Sequence, residues 1–332
     1  MKVSIIIPVF NVEKYITRCI QSVISQTYKG KIECIIIDDC TPDNSVAIVS
    51  QIIKEYKGNI IFSVIHHDKN KGLSAARNTG IKAATGDYIY FLDSDDEIHP
   101  STIALMVEKV EKYPLVDFVV GDYKENLFPD KCHIDLPEII EDSDEIFRRY
   151  LTFNIPATAW NKLIKRSFLL ENNLFFKEGL IPEDIEQTFR LALHARKMAC
   201  ICKKTYIYYI NNQSSISNNI SKKNIFNIIA IRKEQIQLVS NLKFQPRDKN
   251  LISDFFINDI FTVSRNISRC SRLNKNEKKV LLNELNQLNK EIPFKNNSLK
   301  CRIKSYINKL PTDIKLSILK SKHPILTYCS KE

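Results

Sequence analysis

Short apolar runs alternate with amphipathic stretches along the first 122 residues of the chain. The apolar runs have the length and composition of buried strands and cover residues 3–9, 32–37, 60–65, 88–92 and 116–120. Between them, apolar positions recur at helical spacing over residues 12–25, 45–56, 73–84 and 101–112. Strand and helix alternating at this pace predict an α/β fold, Rossmann-like, with a mostly parallel sheet flanked by helices.

The pattern changes twice further along the chain. Residues 123–220 are less regular, although they contain a helical run at 183–195. Residues 221–332 have a helical pattern and are rich in Lys, Asn and Ile. We therefore predict one α/β domain over residues 1–220, whose first half ends at residue 122, followed by a helical C-terminal appendage at 221–332.

The apolar run at 88–92 ends on three carboxylates, Asp93, Asp95 and Asp96. A buried strand that ends in acidic residues is typical of a ligand site, because open α/β sheets bind ligands at the carboxyl ends of their strands. Carboxylate oxygens at that place suit a hard divalent cation, Mn²⁺ or Mg²⁺. A second Asp-x-Asp triplet at 142–144 precedes an amphipathic run, and we interpret it as a helix N-cap instead.

Charge is distributed unevenly along the chain. Residues 1–220 hold 26 Lys and Arg against 29 Asp and Glu, whereas residues 221–332 hold 23 against 9, so the net charge of +11 originates in the last third. The stretch 300–322 combines apolar residues at helical spacing with Arg and Lys, and Pro311 divides it into two short helices. Two interpretations stay open, contact with an anionic membrane surface or a packed appendage; no nucleic-acid-binding module is recognisable.

No signal peptide is evident, and no apolar stretch reaches the 18 residues that a spanning helix needs. The nine cysteines form no C-x-x-C pair, which indicates a reducing compartment rather than a disulfide framework or structural zinc. We therefore expect a cytoplasmic protein. Residues 221–332 would supply any peripheral contact with the inner face of the plasma membrane.

The first βα turn excludes two common kinds of nucleotide site. It spans residues 8–11 without a glycine, and the first glycine of the chain is Gly30. Dinucleotide fingerprints and P-loops need glycines in this turn, because their backbone N–H groups must close on phosphates. A phosphate would therefore be held by a cation on the carboxylates at 93–96.

Three further segments place charged side chains at predicted strand ends or helix starts. Asp38 and Asp39 follow the second strand, where they either terminate it or accept a hydrogen bond from a base N–H. Arg77 lies in a predicted helix and is either solvated or paired with a diphosphate or base. Glu183 and Asp184 begin a helix, where acidic residues ordinarily complement the helix dipole. The adjacent histidines at 66–67 end the third strand, and we expect them to be structural or solvated.

Four motifs in this order resemble those of the family 2 glycosyltransferases, which have the GT-A fold. They are VSIIIPVFN at 3–11, DDCTPDNS at 38–45, GLSAARNTG at 72–80 and LDSDD at 92–96. The resemblance covers roughly residues 1–215, and one departure is Cys40, where the family usually has glycine. It implies that residues 1–220 form a GT-A catalytic domain, with a nucleotide-sugar-binding half at 1–122 and an acceptor-binding half at 123–220.

The resemblance also implies roles on the donor side. The candidate donor-binding residues are Pro8, Phe10, Asp39, Arg77 and Asp93. Among them, Asp39 would read the base edge and Asp93 would contact the ribose. Asp95 would hold the Mn²⁺ or Mg²⁺ that bridges the two donor phosphates, with Asp96 as a further or alternate ligand.

On the acceptor side, Asp184 resembles the catalytic base of the family's Glu-Asp motif. A base is needed because a sugar hydroxyl is a poor nucleophile until it loses its proton. The candidate acceptor contacts are Trp160, Lys162 and Glu183, although a sole tryptophan fits a core position equally well. Residues 208–217 resemble a segment that closes over the donor and excludes water.

The sequence predicts an inverting, metal-dependent glycosyltransferase. It would move a sugar from a nucleotide-diphospho-sugar, with UDP-sugars favoured, to a hydroxyl of a glycan or lipid-linked acceptor in bacterial cell-surface polysaccharide synthesis. Two alternatives stay open. A sugar-nucleotide-forming nucleotidyltransferase would be expected to carry a glycine-rich first turn, and a non-catalytic subunit of a polysaccharide assembly would be expected to lose the carboxylates.

Overall fold

The structure is a computed structural model that describes residues 1–127, 131–210, 222–293 and 298–320. The chain divides into two compact units, Met1–Ser215 and Ile216–Glu332. In its described residues, the first unit contains a sheet with flanking helices, and the second unit is helical.

The first unit is built on one mixed sheet, with nine strands in the described residues. They are β1 (Lys2–Val9), β2 (Lys31–Asp38), β3 (Ile61–His66), β4 (Tyr88–Phe91), β5 (Glu97–Ile98), β6 (Phe118–Glu125), β7 (Ile139–Ile140), β8 (Lys162–Lys165) and β9 (Met198–Tyr208). Their order is β3-β2-β1-β4-β8-β6-β9-β5, and β7 pairs with β9. Strands β1 to β4 are mutually parallel, whereas β8 runs antiparallel to both β4 and β6.

Helices flank this sheet in the alternation that the hydrophobic pattern predicts. They are α1 (Ile16–Ile24), α2 (Ser45–Glu55), α3 (Leu73–Ala83), α4 (Thr102–Lys112), α5 (Ser143–Leu151), α6 (Arg166–Glu171) and α7 (Asp184–His194). The predicted α/β fold is confirmed. The interpretation of the triplet at 142–144 is also confirmed, because the Asp142 carboxylate caps α5 by accepting hydrogen bonds from the backbone N–H of Asp144 and Glu145 at 2.8 and 3.2 Å.

The carboxyl ends of β1, β2 and β4 lie at one edge of the sheet, since the parallel register pairs Val9 with Asp38 and β4 lies beside β1. Every residue of β4 is buried, as its apolar composition predicts. In the turns that leave β1 and β2, Asn11 and Cys40 adopt φ angles of 56° and 57°. This left-handed region costs a non-glycine residue about 1–2 kcal/mol, so Cys40 occupies a position better suited to glycine.

A polar cluster lies at the amino ends of the same strands, opposite the ligand edge of the sheet. Glu33 on β2 accepts hydrogen bonds from Thr85 N at 2.7 Å and Gly86 N at 3.0 Å, and it pairs with Lys2 Nζ at 2.6 Å. Burial by itself raises the pKa of Glu33, but hydrogen bonds from Lys2, Ser4 and Thr85 outweigh it and lower the pKa from 4.5 to about 2. The cluster therefore ties the start of β4 to the starts of β1 and β2.

The described part of the second unit is a set of packed helices. They are α8 (Lys222–Ser240), α9 (Pro246–Arg269), α10 (Lys275–Glu291), α11 (Leu299–Lys309) and α12 (Thr312–Lys320). Two short helices flank Pro311, as predicted. Ile307 of α11 packs against Phe261 of α9 and Leu319 of α12, while Tyr306 remains 68% exposed. None of the described helices combines the length and apolarity needed to cross a membrane.

Candidate active site

Arg77 joins two carboxylates that come from distant parts of the first unit. Its side chain, on α3, is only 2% exposed. Nη2 donates to Asp93 Oδ1 at 2.7 Å, and Nη1 donates to Glu183 Oε1, which lies 106 residues further along the chain. Because Arg77 is buried and paired, the solvated alternative is wrong. One guanidinium thus connects the segment after β4 with the start of α7.

Asp184, the candidate base, is the first residue of α7 and lies next to this ion network. Burial raises the pKa of Asp184, and the negative charges of Glu183 and Asp93 raise it further. The positive charge of Arg77 opposes them, and the resulting pKa is about 7. A carboxyl whose pKa lies near the working pH suits proton exchange with a hydroxyl, which is the task of a general base.

Asp39 lies directly after β2 and is almost fully buried. Its Oδ1 accepts hydrogen bonds from His67 Nδ1 and from the backbone N–H of Lys71, both at 2.7 Å, and its Oδ2 accepts one from Gly72 N at 2.7 Å. Gly72 precedes α3 with a φ of 89°, which favours glycine. Asp39 therefore fixes the loop from which the Arg77 helix starts. Its role in reading a base stays a prediction.

Asp96 is the most buried member of the carboxylate cluster at 93–96. Its oxygens accept hydrogen bonds from Tyr206 Oη at 2.8 Å and Tyr209 N at 2.9 Å. Burial, followed by the charges of Asp95 and Asp93, raises the pKa of Asp96 well above its ordinary value. Full burial and these two hydrogen bonds favour a structural role for Asp96 over the alternate metal ligand that the sequence suggested.

Asp95 and Asp93 keep partly exposed side chains at the same edge of the sheet. Within the residues that the structure describes, no group of three or more His, Cys, Asp or Glu side chains could hold a metal ion. Carboxylates of this kind fit a Mn²⁺ or Mg²⁺ ion that takes its other ligands from substrate phosphates and water. The residues present thus suit a cation site completed by substrate rather than a preformed cage, and the role of Asp95 as a metal ligand stays a prediction.

Trp160 and Lys162, two candidate acceptor contacts, are both buried. The Trp160 indole stacks on the Tyr206 ring, with the ring centroids 4.3 Å apart. Lys162 Nζ donates to Pro156 O at 2.9 Å and to Thr158 O at 2.5 Å, and burial lowers the pKa of Lys162 to about 7. This packing favours the core alternative for Trp160. Contact of either side chain with an acceptor stays a prediction, as it does for Glu183.

The remaining candidates lie at the end of β1 and near the end of β9. Pro8 is buried within β1, whereas Phe10, just beyond the strand, is 45% exposed at the ligand edge of the sheet. Of the segment expected to close over the donor, residues 211–217 lie outside the described part of the chain. The nucleotide-binding roles of Pro8 and Phe10 stay predictions.

Two residues of this site were not identified from the sequence. Arg18 on α1 donates through Nη2 to the backbone carbonyl of Asp95, and its guanidinium lies 3.6 Å from the centroid of the Tyr209 ring. His67, expected to be structural or solvated, is buried against Asp39. Neither residue belongs to a local pattern that signals its partner, because each contact joins segments far apart in the chain.

The fold resembles that of solved glycosyltransferase structures. The crystal structure of Staphylococcus aureus TarS 1-349 in complex with UDP-GlcNAc matches with a TM-score of 0.78 at 20% identity, covering 97% of this chain and 91% of TarS 1-349. A mannosyltransferase from Pyrobaculum calidifontis, in complex with GDP-Man and Mn²⁺, matches with a TM-score of 0.58 at 13% identity, covering 97% of this chain and 88% of that one. At these identities the likeness concerns the fold alone, and it confirms the expected GT-A fold.

Two sequence relatives are more similar. Glycosyltransferase GlyA of Streptococcus pneumoniae is 32% identical over 75% of this chain and 36% of its own length. The uncharacterized glycosyltransferase EpsJ of Bacillus subtilis is 32% identical over 64% of this chain and 62% of its own length. The chain thus spans less than two thirds of either relative. The family described as glycosyl transferase family 2 matches residues 4–169, a region that contains three of the four motifs in full and the first from its second residue onward. The chain therefore belongs to glycosyl transferase family 2.

Proposed function

We propose that this chain is an inverting glycosyltransferase. It would move a sugar from a nucleotide-diphospho-sugar to a hydroxyl of a glycan or lipid-linked acceptor in bacterial cell-surface polysaccharide synthesis. The observation that carries this proposal is Asp184, a carboxyl with a raised pKa that lies beside Arg77 and Asp93 at the ligand edge of the sheet. Residues 1–122 would bind the donor and residues 123–220 the acceptor.

The proposed reaction is a single displacement. Asp184 accepts the proton of the acceptor hydroxyl while the hydroxyl oxygen forms a bond to C1 of the donor sugar. The bond between C1 and the diphosphate oxygen breaks, and the nucleoside diphosphate leaves with the electron pair. Attack from the face opposite the leaving group inverts the anomeric centre. Arg77 would hold Glu183 and Asp93 in place during this step.

The donor is proposed to be a UDP-sugar. TarS, whose fold this chain shares, was crystallised with UDP-GlcNAc, which supports the choice of UDP-GlcNAc as the first donor to test. Asp95 would hold Mn²⁺ or Mg²⁺, and the ion would neutralise negative charge that develops on the leaving diphosphate. Phe10, exposed beside the buried Asp39, offers a ring surface against which a base could lie.

The decisive experiment measures release of nucleoside diphosphate and transfer to glycan acceptors, with a panel of donors and Mn²⁺. Asp95→Ala should abolish metal-dependent donor turnover. Asp184→Asn should leave donor binding largely intact, measured by thermal shift with nucleotide-sugar and metal, but reduce transfer by about 10²–10⁴-fold. Transfer by Asp184→Asn at the wild-type rate would show that the base is assigned wrongly.

Asp142→Asn is the matched control for these variants. Asp142 belongs to the other Asp-x-Asp triplet, and its carboxylate caps α5. Asparagine caps helices about as well as aspartate, so this variant should retain both folding and transfer. Formation of a nucleotide-sugar from a nucleoside triphosphate would favour a nucleotidyltransferase instead. Absence of turnover with every donor and acceptor would favour a non-catalytic subunit.

We further propose that the basic C-terminal region contacts an anionic membrane surface. Leu299, Arg302, Tyr306 and Lys309 are exposed and recur at three- and four-residue spacing, so they share one face of α11. This face combines apolar and basic groups without an acidic residue, as interfacial helices do. Cosedimentation with vesicles of phosphatidylglycerol, but not of phosphatidylcholine alone, should therefore be lost in Arg302→Glu/Lys309→Glu. Unchanged cosedimentation of this variant would leave α11 as part of a packed appendage.

A further inference from the structure

Two adjacent histidines at the end of β3 pair with two adjacent aspartates at the end of β2. His66 Nδ1 lies 2.8 Å from Asp38 Oδ2, and the His66 side chain is 61% exposed. His67 Nδ1 lies 2.7 Å from Asp39 Oδ1, and both of these side chains are about 95% buried, at 5% and 4% exposure. The pairs have the same chemistry but opposite environments. Only the second pair can hold a carboxylate rigidly inside the protein.

The buried pair is anchored on its far side as well. His67 Nε2 lies 2.9 Å from Thr79 Oγ1, on the same helix as Arg77. A carboxylate oxygen only accepts, so His67 Nδ1 carries the proton that it donates to Asp39, and in the neutral ring Nε2 accepts from the Thr79 hydroxyl. Both ring nitrogens are therefore used, which fixes the orientation of the imidazole.

The remaining capacity of Asp39 to accept hydrogen bonds can be counted. A carboxylate offers about four acceptor positions, two on each oxygen. Oδ1 receives His67 Nδ1 and Lys71 N, whereas Oδ2 receives only Gly72 N among the described residues. One acceptor position thus remains, on Oδ2. A ligand group must therefore be a hydrogen-bond donor to fill this position. Asp39 lies at the ligand edge of the sheet, one strand away from the exposed ring of Phe10.

We propose that His67 is a positioning residue that directs this last acceptor position of Asp39 at the imide N–H of a uracil base. The inference rests on the proposed nucleotide-sugar donor and adds the residue that makes base reading selective. Without His67, only the backbone N–H groups of Lys71 and Gly72 hold the carboxylate, one on each oxygen. The carboxylate then loses the side-chain donor that restricts its rotation about the terminal bond, so the direction of Oδ2 is less fixed. A site built to accept from an N–H rejects analogues that lack it, because the carboxylate is then left without its partner.

The test compares the binding of UDP with that of N3-methyl-UDP, in which a methyl group replaces the imide hydrogen. A hydrogen bond to a charged group corresponds to roughly tenfold or more in affinity, so the wild-type protein should bind UDP at least about tenfold more tightly by calorimetry. His67→Ala should reduce this ratio to about twofold or less. His67→Asn places an amide N–H near the former Nδ1 and should restore most of the ratio. Thr79→Val removes the hydroxyl that contacts His67 Nε2 but leaves the imidazole in place, so it should give an intermediate ratio.

His66→Ala is the matched control, since it removes the exposed member of the same histidine pair and should leave the ratio unchanged. If the role of His67 is purely structural, His67→Ala will weaken the binding of both nucleotides equally and the affinity ratio will keep its wild-type value. That result would overturn the proposal. A wild-type ratio near one, or failure of UDP to bind, would overturn it as well. The proposed function fails separately: a protein that discriminates between the two nucleotides but transfers no sugar supports the role of His67 and refutes the glycosyltransferase.

Discussion

Replacing Arg77 by methionine tests whether the buried ion network stabilises the first unit. Methionine keeps the length of the side chain but removes the guanidinium, so Asp93 and Glu183 lose their shared cation. Breaking a buried pair costs about 3–5 kcal/mol, because an uncompensated charge stays inside the protein. Asp93 is 27% exposed and can regain hydration, whereas Glu183 is 5% exposed and cannot. We therefore expect a loss of about 3–4 kcal/mol, from the lower part of that range.

Urea unfolding followed by tryptophan fluorescence measures this loss directly. The only tryptophan, Trp160, is buried in the first unit, so its emission reports on the unit that contains Arg77. With urea m-values of about 2–3 kcal/mol/M, the midpoint should fall by roughly 1–2 M. Lys112→Met is the matched control, because Lys112 pairs with Glu138 at the surface and should leave the midpoint unchanged.

A second variant distinguishes the free-energy cost of the unpaired charge from the cost of lost packing. If the buried Glu183 carboxylate causes the loss, Arg77→Met/Glu183→Gln should be more stable than Arg77→Met by about 1–2 kcal/mol, since a neutral amide tolerates burial better than an unpaired charge. A midpoint shift smaller than about 0.3 M in Arg77→Met, or no recovery in the double variant, would refute this account of Arg77.

Three further predictions concern pH and backbone strain. At pH 7, Glu33→Gln should lower the free energy of unfolding by about 1–2 kcal/mol, a figure discounted for solvent screening. This loss should disappear as the pH falls from 4.5 towards 2. Because the pKa of Glu33 is lowered in the folded state, its carboxylate stabilises that state fully above pH 4.5 and loses this effect as the pH falls towards 2. A stability difference between variant and wild type that stays constant with pH would contradict this account. Cys40→Gly should gain about 0.5–1 kcal/mol in urea unfolding, since glycine relieves the φ of 57°, whereas Cys40→Ala should gain nothing. The kcat/KM for transfer should rise with pH through about 7 and then level off, because Asp184 must lose its proton to act as the proposed base. A flat profile from pH 5.5 to 8 would exclude that role.

Features encoded by short stretches of sequence were predicted well. The β4 run is apolar and buried throughout, and the acidic residues that follow it lie at the expected edge of the sheet. Asp142 caps α5 because a cap depends only on backbone N–H groups two and three residues further on. Pro311 separates α11 from α12 because proline cannot continue a helix. Each of these outcomes depends on neighbours within a few residues, which the pattern contains.

Features that depend on long-range contacts could not be predicted in the same way. Nothing within ten residues of Arg77 indicates that its partner is Glu183, since the contact spans 106 positions. The role of His67 depends on β3 lying beside β2, and the burial of Asp96 depends on Tyr206 at the end of β9. The sequence alone gives no reason to expect different environments for the three carboxylates at 93–96. Only the fold distinguishes Asp93, paired with Arg77, from Asp96, which is buried and hydrogen-bonded to Tyr206.

The network around Arg77 bears on how a diphosphate could bind. Asp93 and Glu183 already compensate the charge of Arg77, so little of that charge remains to attract a phosphate unless one carboxylate moves away. A diphosphate placed beside Asp93 and Asp95 without a cation would add negative charge to an acidic site and raise the pKa of Asp184 further. A divalent ion on Asp95 would offset both effects. The electrostatics of the described residues therefore supports metal-dependent donor binding, even though those residues form no metal cage by themselves.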